Sequence, residues 1–137
     1  MVTCPHCGST PATTLIFGVH VPVKLESEAN SHNHYWNRVA RAQAQRQAWA
    51  WVSKTISEAG KIDILDALKS GVLLVNIVRV ERGRLDSDNL AGCAKHLRDS
   101  IAIWLGINDA DPSVRWLVTQ ERPGIPGARV EFRRLER

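Results

Sequence analysis

Four aspartates flank one helix-like stretch of the 137-residue chain: Asp86 and Asp88 in Arg84-Leu85-Asp86-Ser87-Asp88-Asn89-Leu90, and Asp109 and Asp111 in Asn108-Asp109-Ala110-Asp111-Pro112. Carboxylate oxygens are hard ligands. Magnesium is held through one or two of them with water and substrate phosphates, often from separated loops, and it can activate water against a phosphodiester. Asp86 and Asp88 stand two residues apart, so on an extended strand end both project to one side and reach one ion. The competing reading makes Asp88 a helix N-cap with Asp86 solvated, and the second acidic stretch ordinary turn composition. Like charges brought together repel unless a cation neutralises them, which favours a metal wherever the fold clusters the four. An EF-hand is excluded: counted from Asp86, Leu90 takes the fifth ligand position, Gly92 comes one place late for the turn, and Leu97 stands where the bidentate glutamate belongs.

The elements that must position these acids follow from periodicity. Residues 72–80 are β-branched and apolar and predict a strand buried mainly in its first half, ending just before the first acidic pair. Leu90, Ala94, Leu97, Ile101 and Trp104 then repeat at helical spacing and predict one continuous helix from about residue 89 to Gly106, which puts Lys95 on the same helix face as Asp88. Upstream, residues 13–25 predict a half-buried strand bent by Pro22, with Leu15, Phe17, Val19, Val21 and Val23 inward. Residues 35–59 predict a helix with Trp49, Val52 and Ile56 on its core face. His34, Arg38, Arg41 and Gln45 form another stripe on that helix, either a phosphate-contacting face or a solvated one. Residues 61–70 predict a short helix with Ile62, Leu65 and Leu68 inward, and residues 113–120 and 128–135 two strands joined by a Pro/Gly-rich turn. This order predicts an α+β domain over residues 13–137, a small mixed sheet of about four strands packed with two main helices, preceded by an appendage over residues 1–12.

Lys and Arg exceed Asp and Glu by 18 to 14, and the isoelectric point is about 9.3. With several acids gathered at the candidate site, the remaining surface is more basic than that balance implies, which favours a polyanionic partner. No run of 18 apolar residues and no basic-then-apolar leader is present, so the expected location is cytoplasmic, with no membrane partner.

Cys4-Pro5-His6-Cys7-Gly8 has the spacing of half a zinc site. His20, His32, His34 or Cys93, or the same motif from a second subunit, would have to complete it; a metal-free tail is the alternative. Cys93 beside the apolar helix stripe reads better as a small buried residue. Of the five tryptophans, Trp49 and Trp104 fall on core stripes, whereas Trp36, Trp51 and Trp116 suit core or interface packing, or stacking on bases.

A strand ending in Arg84-x-Asp86-x-Asp88-Asn89-Leu90, a helix carrying Lys95 and Asp99 one turn apart, an acidic loop and two further strands resemble the RusA family of Holliday junction resolvases over roughly residues 15–135. The resemblance implies a homodimeric, magnesium-dependent endodeoxyribonuclease, often prophage-borne, that resolves four-way DNA junctions by paired nicks, with manganese as the substitute ion. It implies Asp86 and Asp88 as metal ligands and catalytic residues, and a third ligand at Asp111, or at Asp109 if counted along the helix. The family's catalytic lysine position is Gly92 here, and Lys95 one turn later is the candidate replacement. Arg38, Arg41, Arg79, Arg82, Arg84 and Arg115 would hold the DNA backbone. The alternative is a non-catalytic branched-DNA-binding protein of the same fold, with a zinc knuckle at Cys4 and Cys7.

Overall fold

The computed structural model describes residues 12–26, 35–122 and 124–136. The appendage over residues 1–12, with Cys4 and Cys7, lies outside the described residues except for Ala12, as do His32 and His34. Eight elements follow in order: β1 (Thr13–Val21), α1 (Tyr35–Ser53), α2 (Glu58–Lys69), β2 (Leu73–Val80), α3 (Ser87–Cys93), α4 (Lys95–Leu105), β3 (Val114–Glu121) and β4 (Gly127–Leu135). The four strands form one mixed sheet in the order β1-β4-β2-β3, with β4 antiparallel to both neighbours and β2 parallel to β3. The α+β class and the four-stranded mixed sheet are as expected from sequence. The helix count is not: there are four helices among the described residues, because the long helix predicted after residue 89 is two.

The division has a visible cause. In a continuous helix the N–H of Leu97 would donate to the carbonyl of Cys93, four residues earlier. Gln45 of α1, 1% exposed, inserts its carboxamide between them: its Nε2 donates to the Cys93 carbonyl at 3.0 Å and its Oε1 accepts the Leu97 N–H at 2.7 Å. A side chain in the hydrogen-bond ladder breaks a helix there, and Ala94 leaves helical geometry at φ −108° and ψ 15°. Gln45 therefore belongs to neither a solvated face nor a phosphate-contacting one.

One face of the sheet carries the core. Leu73, Val75 and Ile77 of β2 and Ala128, Val130 and Phe132 of β4 alternate onto it and meet Trp49 and Val52 of α1, Ile64 and Ala67 of α2, and Leu97, Ile101 and Leu105 of α4. Trp49 and Trp104 meet edge to face at 5.6 Å, and Trp104 lies 5.8 Å from Phe132. Each valine, leucine, isoleucine or phenylalanine buried this way contributes about 1.5–3 kcal/mol. Ile64 and Ala67 supply the buried face of α2, with Leu65 and Leu68 half-buried beside them; Ile62 is exposed, contrary to the sequence expectation. Ile56 lies beyond the end of α1 and still packs on the core.

The opposite face of β2 is also buried, so this strand is covered along its whole length and not only its first half. There Leu74 is flanked by Arg115 and Arg133, Asn76 by Leu117 and Glu131, and Val78 by Thr119 and Arg129. Charged side chains with long apolar stems cover an inner strand in this way. Glu131 joins Arg129 and Arg133, each at 3.1 Å, and accepts from Asn76 at 3.2 Å. Burial pushes its carboxyl upward, but the hydrogen bonds from Arg133 and Asn76 and the charge of Arg133 outweigh this and hold it below its ordinary range.

In β1 a bulge between Leu15 and Phe17 shifts the register against β4, pairing Leu15 with Arg133 and Phe17 with Phe132. The extra residue turns Leu15 away from the core, half exposed, while Ile16, Phe17 and Val19 pack onto it. The strand ends at Val21, immediately before Pro22.

Candidate functional site

The first acidic pair is carried by the connection from β2 to α3, and two side chains and one backbone bond build that connection. Arg79, 6% exposed, donates from Nε to the Leu25 carbonyl at 2.8 Å and from Nη1 to the Gly83 carbonyl at 2.6 Å. Gln120 of β3 pairs with the backbone of Leu85 in both directions, accepting its N–H at 3.1 Å and donating to its carbonyl at 2.8 Å. Glu81 N–H donates to the Glu121 carbonyl at 3.2 Å. A buried guanidinium spent on two backbone carbonyls cannot track a DNA backbone, so Arg79 is a positioning residue for this loop and leaves the set of expected DNA contacts. Arg82 and Arg84 are exposed on the loop it holds.

Asp86 is the N-cap of α3: its backbone is extended, and its Oδ1 accepts the Asn89 N–H at 2.9 Å. Asp88 lies inside the first turn, where a carboxylate suits the positive end of the helix. The cap falls two residues earlier than the sequence alternative placed it, and the two carboxylates do not share a pleat face, because Asp88 is helical. Both are exposed.

The second pair forms a self-satisfied turn. Asn108 Oδ1 accepts the Ala110 N–H at 3.0 Å, and Asp111 Oδ1 accepts the Ser113 N–H at 2.9 Å. Arg98 of α4 anchors Asp109, donating from Nη2 to its carbonyl at 3.2 Å with Nε 3.8 Å from its carboxylate, and lies 5.1 Å over the Trp116 ring. Trp116 thus holds an arginine.

The two pairs sit at opposite ends of β3. Leu85 is tied to Gln120 near one end, while Asp111 precedes Val114 at the other. Six residue rises along the strand separate Val114 from Gln120, which is roughly 20 Å. Among the described residues no three His, Cys, Asp or Glu side chains are grouped to hold an ion. A groove of about 640 Å³ is lined by Arg84, Ser87 and Leu90 and by Trp116, Thr119 and Glu131, and by none of the four aspartates.

Lys95 is the first residue of α4 and does not share a helix with Asp88, so the premise of a common helix face is corrected. It lines a different groove, of about 450 Å³, with Arg38, Gln43, Arg46 and His96. Sequence periodicity missed Arg46 and His96 because one groove wall comes from each of two helices. Arg41 is half-buried, and Arg115 is exposed on β3. Cys93 is buried as expected; its thiol donates to the Leu90 carbonyl at 3.1 Å and is pushed up to about 11 by burial, against the lowering effect of Arg79. Comparison with protein-family models, curated proteins and solved structures finds no match. No helix among the described residues is long and apolar enough to cross a membrane.

Proposed function

We propose that this protein is a homodimeric, magnesium-dependent, structure-specific endodeoxyribonuclease that nicks four-way DNA junctions in pairs, similar to the RusA resolvases. The observation that carries the proposal is the placement of the acids. Asp86 and Asp88 lie at one end of an edge strand and Asp109 and Asp111 at the other, with the basic residues Arg82, Arg84 and Arg115 nearby in sequence. Among the described residues β3 pairs only with β2, so its outer edge is open to a second copy. A two-fold axis through the middle of that edge pairs the two β3 strands antiparallel and brings Asp111 of one protomer beside the partner's Asp86 and Asp88. Two identical sites result, as paired nicks require.

Asp86 and Asp111 each spend Oδ1 on a backbone N–H. Their outer oxygens and the Asp88 carboxylate would hold the ion, with Asp109 tied to Arg98 as the less available ligand. Held there, magnesium would supply an activated water and stabilise charge developing on the phosphate. The chain's own contribution is to fix the ligands through the Arg79 and Gln120 clamps and to neutralise the DNA strand with Arg82, Arg84 and Arg115. Manganese fits the same oxygen ligands.

A second reading, a branched-DNA-binding protein without chemistry and with a zinc knuckle at Cys4 and Cys7, is favoured by the separation of the acids within one protomer. Cleavage of a labelled four-way junction and a linear duplex of the same sequence, in magnesium and in EDTA, separates the two. Magnesium-dependent paired nicks confined to the junction and lost in Asp88→Asn support the nuclease. Junction binding that ignores EDTA, with no cleavage by folded protein, supports the binder.

A further inference from the structure

The groove between α1 and the first turn of α4 brings together charge that neither helix shows alone. Arg38 and Arg46 enter it from α1 and Lys95 and His96 from α4, with Gln43 between them and no acid among its lining residues. Arg38, Arg46 and Lys95 are exposed, and none of the three is in an ion pair among the described residues. Lys95 and His96 stand here only because Gln45 ends α3 at Cys93 and starts a new helix at Lys95. The N-cap of that new helix, Ala94, offers no side-chain acceptor and Gln45 takes only the Leu97 N–H, so the positive end of the dipole adds to the same groove. Arg46 also lines the adjoining groove, where Asp99 and Asp109 reverse the sign of the lining. The cationic stretch is thereby bounded on one side.

Three long, unpaired cations converging with a helix N-terminus repel one another unless an anion lies between them. Their exposure and the open, elongated arrangement along two helices suit a polyanion's backbone, whose binding releases counterions, better than a small enclosed ligand. We infer that the α1–α4 groove seats a phosphodiester backbone of DNA, with Arg38, Arg46 and Lys95 contacting successive phosphates away from the acids. This rests on the nucleic-acid part of the proposed function and is independent of its metal chemistry. Lys95 then serves binding and not the chemical step.

The test is fluorescence anisotropy of a labelled four-way junction in EDTA across a salt series, with wild type, Arg46→Gln/Lys95→Gln, Arg38→Gln, and the charge-matched control Lys54→Gln/Lys69→Gln. The expected result for the groove double variant is a loss of about 2 in the slope of log affinity against log salt, with at least about tenfold weaker binding, while the control stays within about twofold of wild type. Arg38→Gln should lose about 1 in slope. Equal weakening of groove and control variants, unchanged binding by the groove variants, or a wild type that binds no DNA would each overturn the inference. Groove-dependent binding without any cleavage in magnesium would remove the nuclease and leave the groove assignment standing.

Discussion

Gln45 of α1 accepts the backbone N–H of Leu97 at 2.7 Å, taking the place that the Cys93 carbonyl would hold in an unbroken helix. One carboxamide thus divides α3 from α4. Gln45→Leu keeps the volume and removes both polar atoms, leaving a buried N–H and a buried carbonyl without the bridge. The expected loss is about 2–4 kcal/mol in urea unfolding. A loss under about 1 kcal/mol would mean that α3 and α4 fuse and pair Leu97 with Cys93 directly.

Arg79 is a clamp on the loop that delivers Asp86, through the carbonyls of Leu25 and Gly83. Arg79→Met should cost about 2–3 kcal/mol, because the buried Leu25 carbonyl and the half-buried Gly83 carbonyl lose a charged donor. Amide exchange should rise over residues 81–86 first. If instead the variant keeps wild-type stability and loses only DNA affinity, Arg79 is a DNA contact after all.

Acids shared between protomers predict complementation. Asp88→Asn and Asp111→Asn should each be inactive as homodimers, yet a mixed dimer carries one site with both acids intact and one with neither. Equal mixing and reassociation should therefore restore about a quarter of wild-type nicking. A mixture as inactive as its components would place all ligands of each site in one protomer.

Glu131 makes acid stability depend on its network. Its folded carboxyl sits below the ordinary 4.5, so the stability it contributes is complete above that value and disappears as pH falls through the depressed one. Wild type should lose stability on acidification below about pH 4.5, and Glu131→Gln should flatten that part of the curve while lowering stability at neutral pH. Urea midpoints between pH 3 and 7 for both proteins decide it. Identical slopes would count against the network.

Burial keeps the Cys93 thiol protonated, at about 11. In a Cys4→Ser/Cys7→Ser background, alkylation by iodoacetamide at pH 8 should therefore follow global unfolding and speed up with urea in step with the unfolded fraction. Fast labelling of native protein would show that the α3–α4 break opens locally.

The strands were legible because alternation and β-branching act locally: residues 72–80 and 128–135 match β2 and β4 within one residue at either end. What escaped depends on distant partners. Nothing near Ala94 signals a helix break, since its cause is a glutamine 48 residues from Cys93. Leu15 faces away from the core because of a bulge that only pairing with β4 defines. Arg79 looks like surface charge in a strand pattern until the Leu25 and Gly83 carbonyls are brought to it. The acids themselves were found by type and spacing, but their separation along β3 is a property of the parallel crossover.

β4 comes last of the strands in chain order yet lies between β1 and β2, and among the described residues β1 pairs with no other strand. Thr14 meets Glu136 across 122 residues of sequence, at 2.6 Å. Contacts of that span are slow to form, because loop closure must precede the pairing that rewards it. During synthesis the first strand therefore waits for the last, and a chain halted anywhere before Gly127 leaves β1 unpaired and one edge of β2 bare. Joining the region of Glu136 to that of Thr13 by a short linker and opening the chain elsewhere would make this pair local, a permutation that should accelerate folding without altering a single native contact.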